Sequence, residues 1–190
     1  MLVMCGDGDV VGGSPASDAT PAHCAAHEDV VVAFERRHGQ IMFGFVRRLG
    51  VADAAAADVV QESLLRLYDA LVAGQGIRDL KAWTFHVAYR LAMDEHRRLA
   101  RGQRNANASA ANRPAADDDP ADDIERRQVW AEVDRLPDRQ RAVLYLRFRA
   151  DLPFEDVGTT LGITASAARS HCTQALAVLR GRLTKDAADG

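Results

Sequence analysis

Lysine is almost missing from this chain of 190 residues: Lys81 and Lys185 are the only two, and the other 22 of its 24 basic residues are arginine. A GC-rich genome produces that skew as readily as a need for guanidinium groups does. Long apolar runs are missing as well. No stretch approaches the roughly 20 apolar residues of a membrane-spanning helix, and Met1 to Val11 has no basic start, so no secretory signal is expected. Cysteine is sparse: Cys5, Cys24 and Cys172 show no paired spacing. That excludes a disulfide framework and points to a reduced, cytoplasmic protein. There is no phosphate-binding glycine loop, nucleophile–His–acid constellation or paired-carboxylate site, so neither an enzyme nor a cofactor is expected. Strand-like alternation is absent, and the chain is expected to be all-α. Positive charge is not in surplus either. The formal net charge is −3, which taken alone argues against a nucleic-acid partner.

What is present changes that last inference. Residues 30–104 hold 12 bases and 8 acids, and residues 126–190 hold 11 bases and 8 acids, whereas residues 1–29 and 113–125 each carry a net −5. The acidity sits in two strips rich in small and polar residues without apolar period, and the helical periodicity sits in two mildly basic blocks. The expected organisation is a disordered tail at 1–27, a helical domain at 28–101, a flexible acidic linker at 102–125 and a second helical domain at 126–185. Domains of about 70 residues bury only about 60% of their unfolded surface. The 25 residues from Arg101 to Glu125 average about 25–30 Å end to end as a random coil and reach about 80–90 Å when extended.

In the first block Phe34, Ile41, Phe45 and Leu49 recur at helical spacing, which predicts one amphipathic helix from Val30 to Leu49. Asp53 suits the N-cap of a second helix reaching Leu71. There Val60, Leu64, Leu67 and Leu71 form the buried stripe, with Asp58, Gln61, Glu62 and Arg66 on the opposite side. A third helix, Leu80 to Arg98, turns Trp83, Val87 and Leu91 inward and carries Phe85, His86, Tyr89, Arg90 and Arg97 around the remainder. Aromatic and basic side chains on one exposed face suit single-stranded nucleic acid, since bases stack on rings for about 1–3 kcal/mol each while arginines track phosphates. The same pattern also fits core aromatics beside a solvated arginine face.

In the second block Ile124, Val129 and Val133 start a helix that ends at Leu136-Pro137, and another runs from Asp138 to Arg149 with Val143, Leu144 and Leu146 inward. A short helix carrying Val157 and Leu161 then meets Gly162-Ile163-Thr164, where Gly162 supplies a tight turn, Ile163 plugs the angle and Thr164 caps a last helix through Leu183. This is the layout of a helix-turn-helix. On the last helix Ala168, Cys172, Ala175, Leu176 and Leu179 form the inner stripe, and Ser166, Arg169, Ser170, Thr173 and Gln174 face outward. Arginine reads guanine and glutamine reads adenine in a major groove, although the same side chains also serve as phosphate contacts. The alternative is an ordinary three-helix bundle with a polar face.

These residues resemble a known family, the bacterial sigma factors of the extracytoplasmic-function (ECF) type. Asp58-Val59-Val60-Gln61-Glu62 is similar to the family's D-[LV]-[VT]-Q-E segment. Lys81-Ala82-Trp83 with Ala88, Leu91, Asp94 and Arg97-Arg98 is similar to its Trp-containing helix, and Leu136-Pro137-Asp138-Arg139-Gln140-Arg141 to its L-P-x-x-Q-R signature. Three motifs in order, spanning roughly 34–101 and 127–183, make the resemblance specific.

The resemblance implies a partner and a division of labour. Asp58, Gln61, Glu62 and Arg66 would dock on the largest subunits (beta and beta-prime) of core RNA polymerase. Ala73–Asp79 and the following helix, with Arg78, Lys81, Phe85, His86, Tyr89, Arg90 and Arg97, would open the −10 element of promoter DNA. Ser166, Arg169, Ser170, Thr173 and Gln174 would read the −35 element, and the helix from Asp138 to Arg149 would seat against the polymerase flap. An anti-sigma factor is the expected inhibitory partner. His86 and Tyr89 stand where the family commonly has arginine, and His171, Cys172 and Gln174 where Arg, Leu and Arg are common. Pro153 replaces a usual serine cap, and Gly158 a usual alanine, at up to about 1 kcal/mol. The competing reading is a standalone helix-turn-helix regulator whose first block is an interaction domain. His23-Cys24-Ala25-Ala26-His27 places three metal-ligand types together but lacks a fourth, so no metal site is expected.

Overall fold

Every regular element in the computed structural model is helical, across the residues it describes, 21–103 and 124–186. The expected linker, apart from its ends, and residues 1–20 of the expected tail lie outside the described residues. In chain order the elements are α1 (Pro21–Arg48), α2 (Asp53–Val72), α3 (Leu80–Gln103), α4 (Ile124–Asp134), α5 (Asp138–Leu144), a π turn (Tyr145–Arg149) continuing α5, α6 (Phe154–Leu161) and α7 (Ala165–Asp186). No helix among the described residues is long and apolar enough to cross a membrane.

Four expectations need correction. Helix α1 begins at Pro21, inside the expected tail of 1–27; proline suits the first helical position because its missing N–H would be unpaired there anyway. Asp53 is the first residue of α2 and not its cap, which is Ala52 without a side-chain cap bond. The Asp53 carboxylate is held by Arg47 at 2.6 Å, and its charge still favours the helix N-terminus. On α3 the fully buried residues are Thr84, Phe85, Ala88 and Ala92, whereas Trp83, Val87 and Leu91 are half-buried. Helix α3 packs on α1, α2 and α6 together, so the apolar arc is wider than one stripe and centred one residue away. On α7, Ala168, Cys172, Ala175 and Leu179 are buried as expected, but Leu176 is exposed.

The elements of the two blocks are locally as expected elsewhere. Val60, Leu64 and Leu67 of α2 are buried, as are Val143, Leu144 and Leu146 beyond the Leu136-Pro137 corner. Asp79 caps α3 by accepting the Ala82 N–H at 2.9 Å, and Thr164 caps α7 by accepting the Ala167 N–H at 3.1 Å. Gly162 ends α6 at φ +65°, the left-handed region that glycine enters without strain.

The blocks also share one continuous core. The Phe45 ring of α1 lies 5.8 Å from the Phe85 ring of α3 and stacks 5.9 Å from the Tyr145 ring of the second block. Fully burying an aromatic or leucine side chain is worth about 1.5–3 kcal/mol, so the shared core binds the two halves into one packed unit.

Candidate nucleic-acid and partner interfaces

Helix α2 presents its polar row as the spacing predicts. Asp58, Gln61 and Arg66 are exposed and Glu62 is half-exposed, with Arg66 Nε donating to Glu62 Oε1 at 2.8 Å one turn back. This row borders a groove of about 400 Å³ between α2 and α3, whose far wall includes Asp94, Glu95, Arg98 and Arg101. Glu95 was not singled out from sequence. Arg98 donates to both its oxygens at 2.7 Å, and that pairing holds the Glu95 carboxyl below its usual range while raising Arg98. The i, i+3 spacing of Glu95 and Arg98 was the available signal.

The seven candidates on and before α3 are not brought together on one open face. Arg78, Arg90 and Arg97 are exposed, with Arg97 paired to Asp94 at 3.1 Å. Phe85 is fully buried against Phe45, so its expected role as an exposed base-stacking ring is corrected: it is core. His86 is half-buried, with its Nδ1 enclosed and without a hydrogen-bond partner among the described residues. Tyr89 is half-buried and lines a cavity of about 320 Å³ whose opposite wall is Asp138, Arg139 and Ala142 of α5 and Leu161 of α6. Lys81 donates to the Asp151 carbonyl at 3.0 Å. Asp151 itself holds a left-handed backbone at φ +49°, a conformation in which aspartate is one of the few tolerated non-glycine residues.

The five α7 candidates, Ser166, Arg169, Ser170, Thr173 and Gln174, are all exposed and share the N-terminal half of the helix. Arg169 is not idle: it pairs with Glu155 at the start of α6 and lies 5.5 Å from the Phe154 ring. The backbone amide of Glu155 and then Arg169 hold the Glu155 carboxyl below its usual range. Thr173 donates its hydroxyl to the Arg169 carbonyl at 3.0 Å. Cys172, behind this row, is buried, and burial pushes its thiol up, the behaviour of a small core residue.

The helix expected to seat against a polymerase flap is turned inward. Arg141 to Leu146 are buried without interruption, because the α5 helix and its π turn lie against α1. Arg141, only 2% exposed, donates from Nε to the Arg48 carbonyl at 2.8 Å, from Nη1 to the Asp134 carbonyl at 3.1 Å, and from Nη2 to Asp138 at 2.8 Å. Those carbonyls end α1 and α4, where the last turn of a helix leaves acceptors unpaired. Arg48 reaches the other way, with Nε donating to Asp134 at 2.9 Å and its guanidinium 5.5 Å from the Trp130 ring and 5.0 Å from the Tyr145 ring. The Tyr145 hydroxyl donates to the Ile41 carbonyl at 3.0 Å, passing over Gly44, where a Cβ would collide with it. Sequence reading missed Arg48, Trp130 and Asp134. Arginine, aspartate and an amphipathic aromatic read as surface residues, and only their partners across the fold reveal otherwise.

No group of three or more His, Cys, Asp or Glu side chains converges as a metal site among the described residues. The side chains of His23 and Cys24 lie outside them.

The two halves match two family descriptions in order: "Sigma-70 region 2" over residues 35–102 and "Sigma-70, region 4" over residues 133–181. Among curated proteins, the chain is 28% identical over 160 residues to the ECF RNA polymerase sigma factor SigL of Mycobacterium tuberculosis, covering 82% of this chain and 90% of that one. It is 29% identical over 140 residues to the ECF RNA polymerase sigma factor EcfG of Rhodopseudomonas palustris, covering 74% and 77%. Among solved structures, its fold is similar to the sigma factor RpoE of Bartonella quintana in complex with the anti-sigma factor NepR. There the TM-score is 0.64 at 17% identity, covering 80% of this chain and 97% of that one. It is also similar to CnrH in complex with the cytosolic domain of CnrY, with TM-score 0.58, 20% identity and coverage of 87% and 94%.

Proposed function

The chain belongs to the ECF-type RNA polymerase sigma factors, and from that premise we propose that it binds core RNA polymerase, directs it to promoters carrying −35 and −10 elements and promotes melting of the −10 DNA. The observation that carries this reading is the open row of Asp58, Gln61 and Glu62 on α2, which no other described element covers. A carboxylate–amide row on a rigid helix suits a basic partner surface, and it has no purpose in a helix-turn-helix regulator that binds DNA alone. In this reading residues 28–101 form the polymerase-binding and −10 unit, residues 126–185 form the −35 unit, and the acidic stretch 102–125 joins them. Arg169 and Gln174 have side chains suited to base edges, and Ser166, Ser170 and Thr173 suit phosphates. At the −10 side the exposed Arg78, Arg90 and Arg97 track the backbone, and Tyr89 supplies the ring that Phe85 does not. The protein carries out no chemistry of its own. An anti-sigma factor is its inhibitory partner, by analogy with the two structural neighbours solved with such proteins.

Run-off transcription with purified core polymerase tests this directly. The expected result is promoter-dependent transcripts with the chain added, lost or reduced about tenfold or more by Asp58→Lys with Glu62→Lys, whose reversed charges oppose a basic partner. Tight duplex binding by the free protein, without transcripts, would instead establish the standalone regulator.

A further inference from the structure

The surfaces that a promoter factor must present are partly covered by one another here. Lys81 at the start of α3 meets Asp151 just before α6 at 3.0 Å, and Tyr89 faces Asp138 and Arg139 across one cavity. Promoter elements one to two helical turns apart are separated by about 35–70 Å, so this packing cannot place the −10 and −35 units on both together. The buried face of α5 is equally closed to any outside partner while α1 covers it.

We propose that the free chain is self-inhibited, and that Arg48 is the latch that holds it shut. Arg48 leaves α1 and enters a socket made wholly by the second block: Asp134 opposes its charge, and Trp130 and Tyr145 offer their ring faces. Its side chain is 8% exposed, so water screens the ion pair little. The neighbouring Tyr145 hydroxyl reaches the Ile41 carbonyl only because position 44 is glycine. Closure therefore has a charged latch and a shape-matched seat, each outside the residues assigned to polymerase or DNA on α2, α3 and α7. The inference rests on the sigma-factor reading for its consequence, since what closure withholds is polymerase and promoter binding.

The experiment uses the full chain with Cys5 and Cys24 changed to serine and spin labels at Ala73→Cys and Ala177→Cys, both exposed positions on the α2 and α7 sides. The expected result for the free protein is one narrow distance distribution. Arg48→Ala and, separately, Gly44→Ala broaden it, and both raise apparent affinity for core polymerase about 3- to 10-fold by enlarging the open fraction. Gly44→Ala guards against simple unfolding, because alanine is the better helix former and circular dichroism reports retained helix. A broad distribution in the parent chain overturns the closed state. A broadened variant with unchanged core affinity overturns the latch as a regulator. Failure of the sigma reading looks different: neither form binds core polymerase while the narrow distance persists, and the regulatory claim then falls with that reading.

Discussion

Gly158 sits inside α6, and an alanine at a helical glycine ordinarily gains about 0.8–1.0 kcal/mol. Its surroundings reverse that sign. A Cβ added there would lie 2.7 Å from the Ile163 carbonyl oxygen, 3.1 Å from the Ala165 nitrogen and 3.2 Å from the Thr164 carbonyl carbon. All three are backbone atoms of the helix-turn-helix corner, so no side chain can swing aside. Overpacking of this kind costs about 1–3 kcal/mol. The shift also loosens the Ile163 N–H bond to the Gly158 carbonyl, 2.9 Å long and worth about 0.5–1.5 kcal/mol. Gly158→Ala should therefore destabilise the protein by about 1–3 kcal/mol, lowering Tm by about 2–4 °C per kcal/mol. Gly181→Ala is the control: that glycine lies in the exposed face of α7 with nothing within 4 Å of a Cβ, so the full propensity gain should appear. Urea titrations of the two variants beside the parent measure both. If Gly158→Ala proves as stabilising as Gly181→Ala, the crowding argument is wrong.

Two further outcomes follow from burial. Phe85→Ala should cost about 3–5 kcal/mol, as for other buried phenylalanines; a variant with an unchanged melt but weakened single-stranded DNA binding would return Phe85 to the DNA face. His38 has its pKa lowered first by burial and then by Lys81 and Arg37, with Asp79 opposing. The unfolded chain thus takes up this proton at higher pH than the folded one, and stability contributed by neutral His38 is present above about pH 6.5 and declines as pH falls through the window below it. Urea midpoints across that window should fall less for His38→Gln than for the parent, and parallel curves would refute the assignment.

How far the sequence carries the fold depends on what each residue packs against. Helix α2 and the Gly162-Ile163-Thr164 corner were legible because their determinants are local: one apolar stripe, one left-handed glycine, one hydroxyl cap. The facing of α3 was not, since three neighbours pack on it and a single-stripe reading chose Trp83, Val87 and Leu91 over Phe85, Ala88 and Ala92. Leu176 was misplaced by the same assumption of a stripe of uniform depth. The outward rows of α2 and α7 were readable from spacing alone. The contact between the halves was not, because it runs through Arg48, Asp134, Arg141 and Tyr145, whose polar groups carry no signal of burial until their partners are known.

Arg141 gives that contact a property that an apolar seam would lack. Two greasy surfaces can slide by a residue and keep most of their attraction, but a guanidinium fork aimed at the Arg48 and Asp134 carbonyls fits at one offset only. Any half-parted arrangement strands Arg141 charge or helix-end carbonyls away from both partner and solvent, at a cost that grows before the opening is complete. The two halves should therefore part as a single event, giving the chain two well-separated states with few molecules between them. A partner that favours either state would then act as a switch and not as a dial.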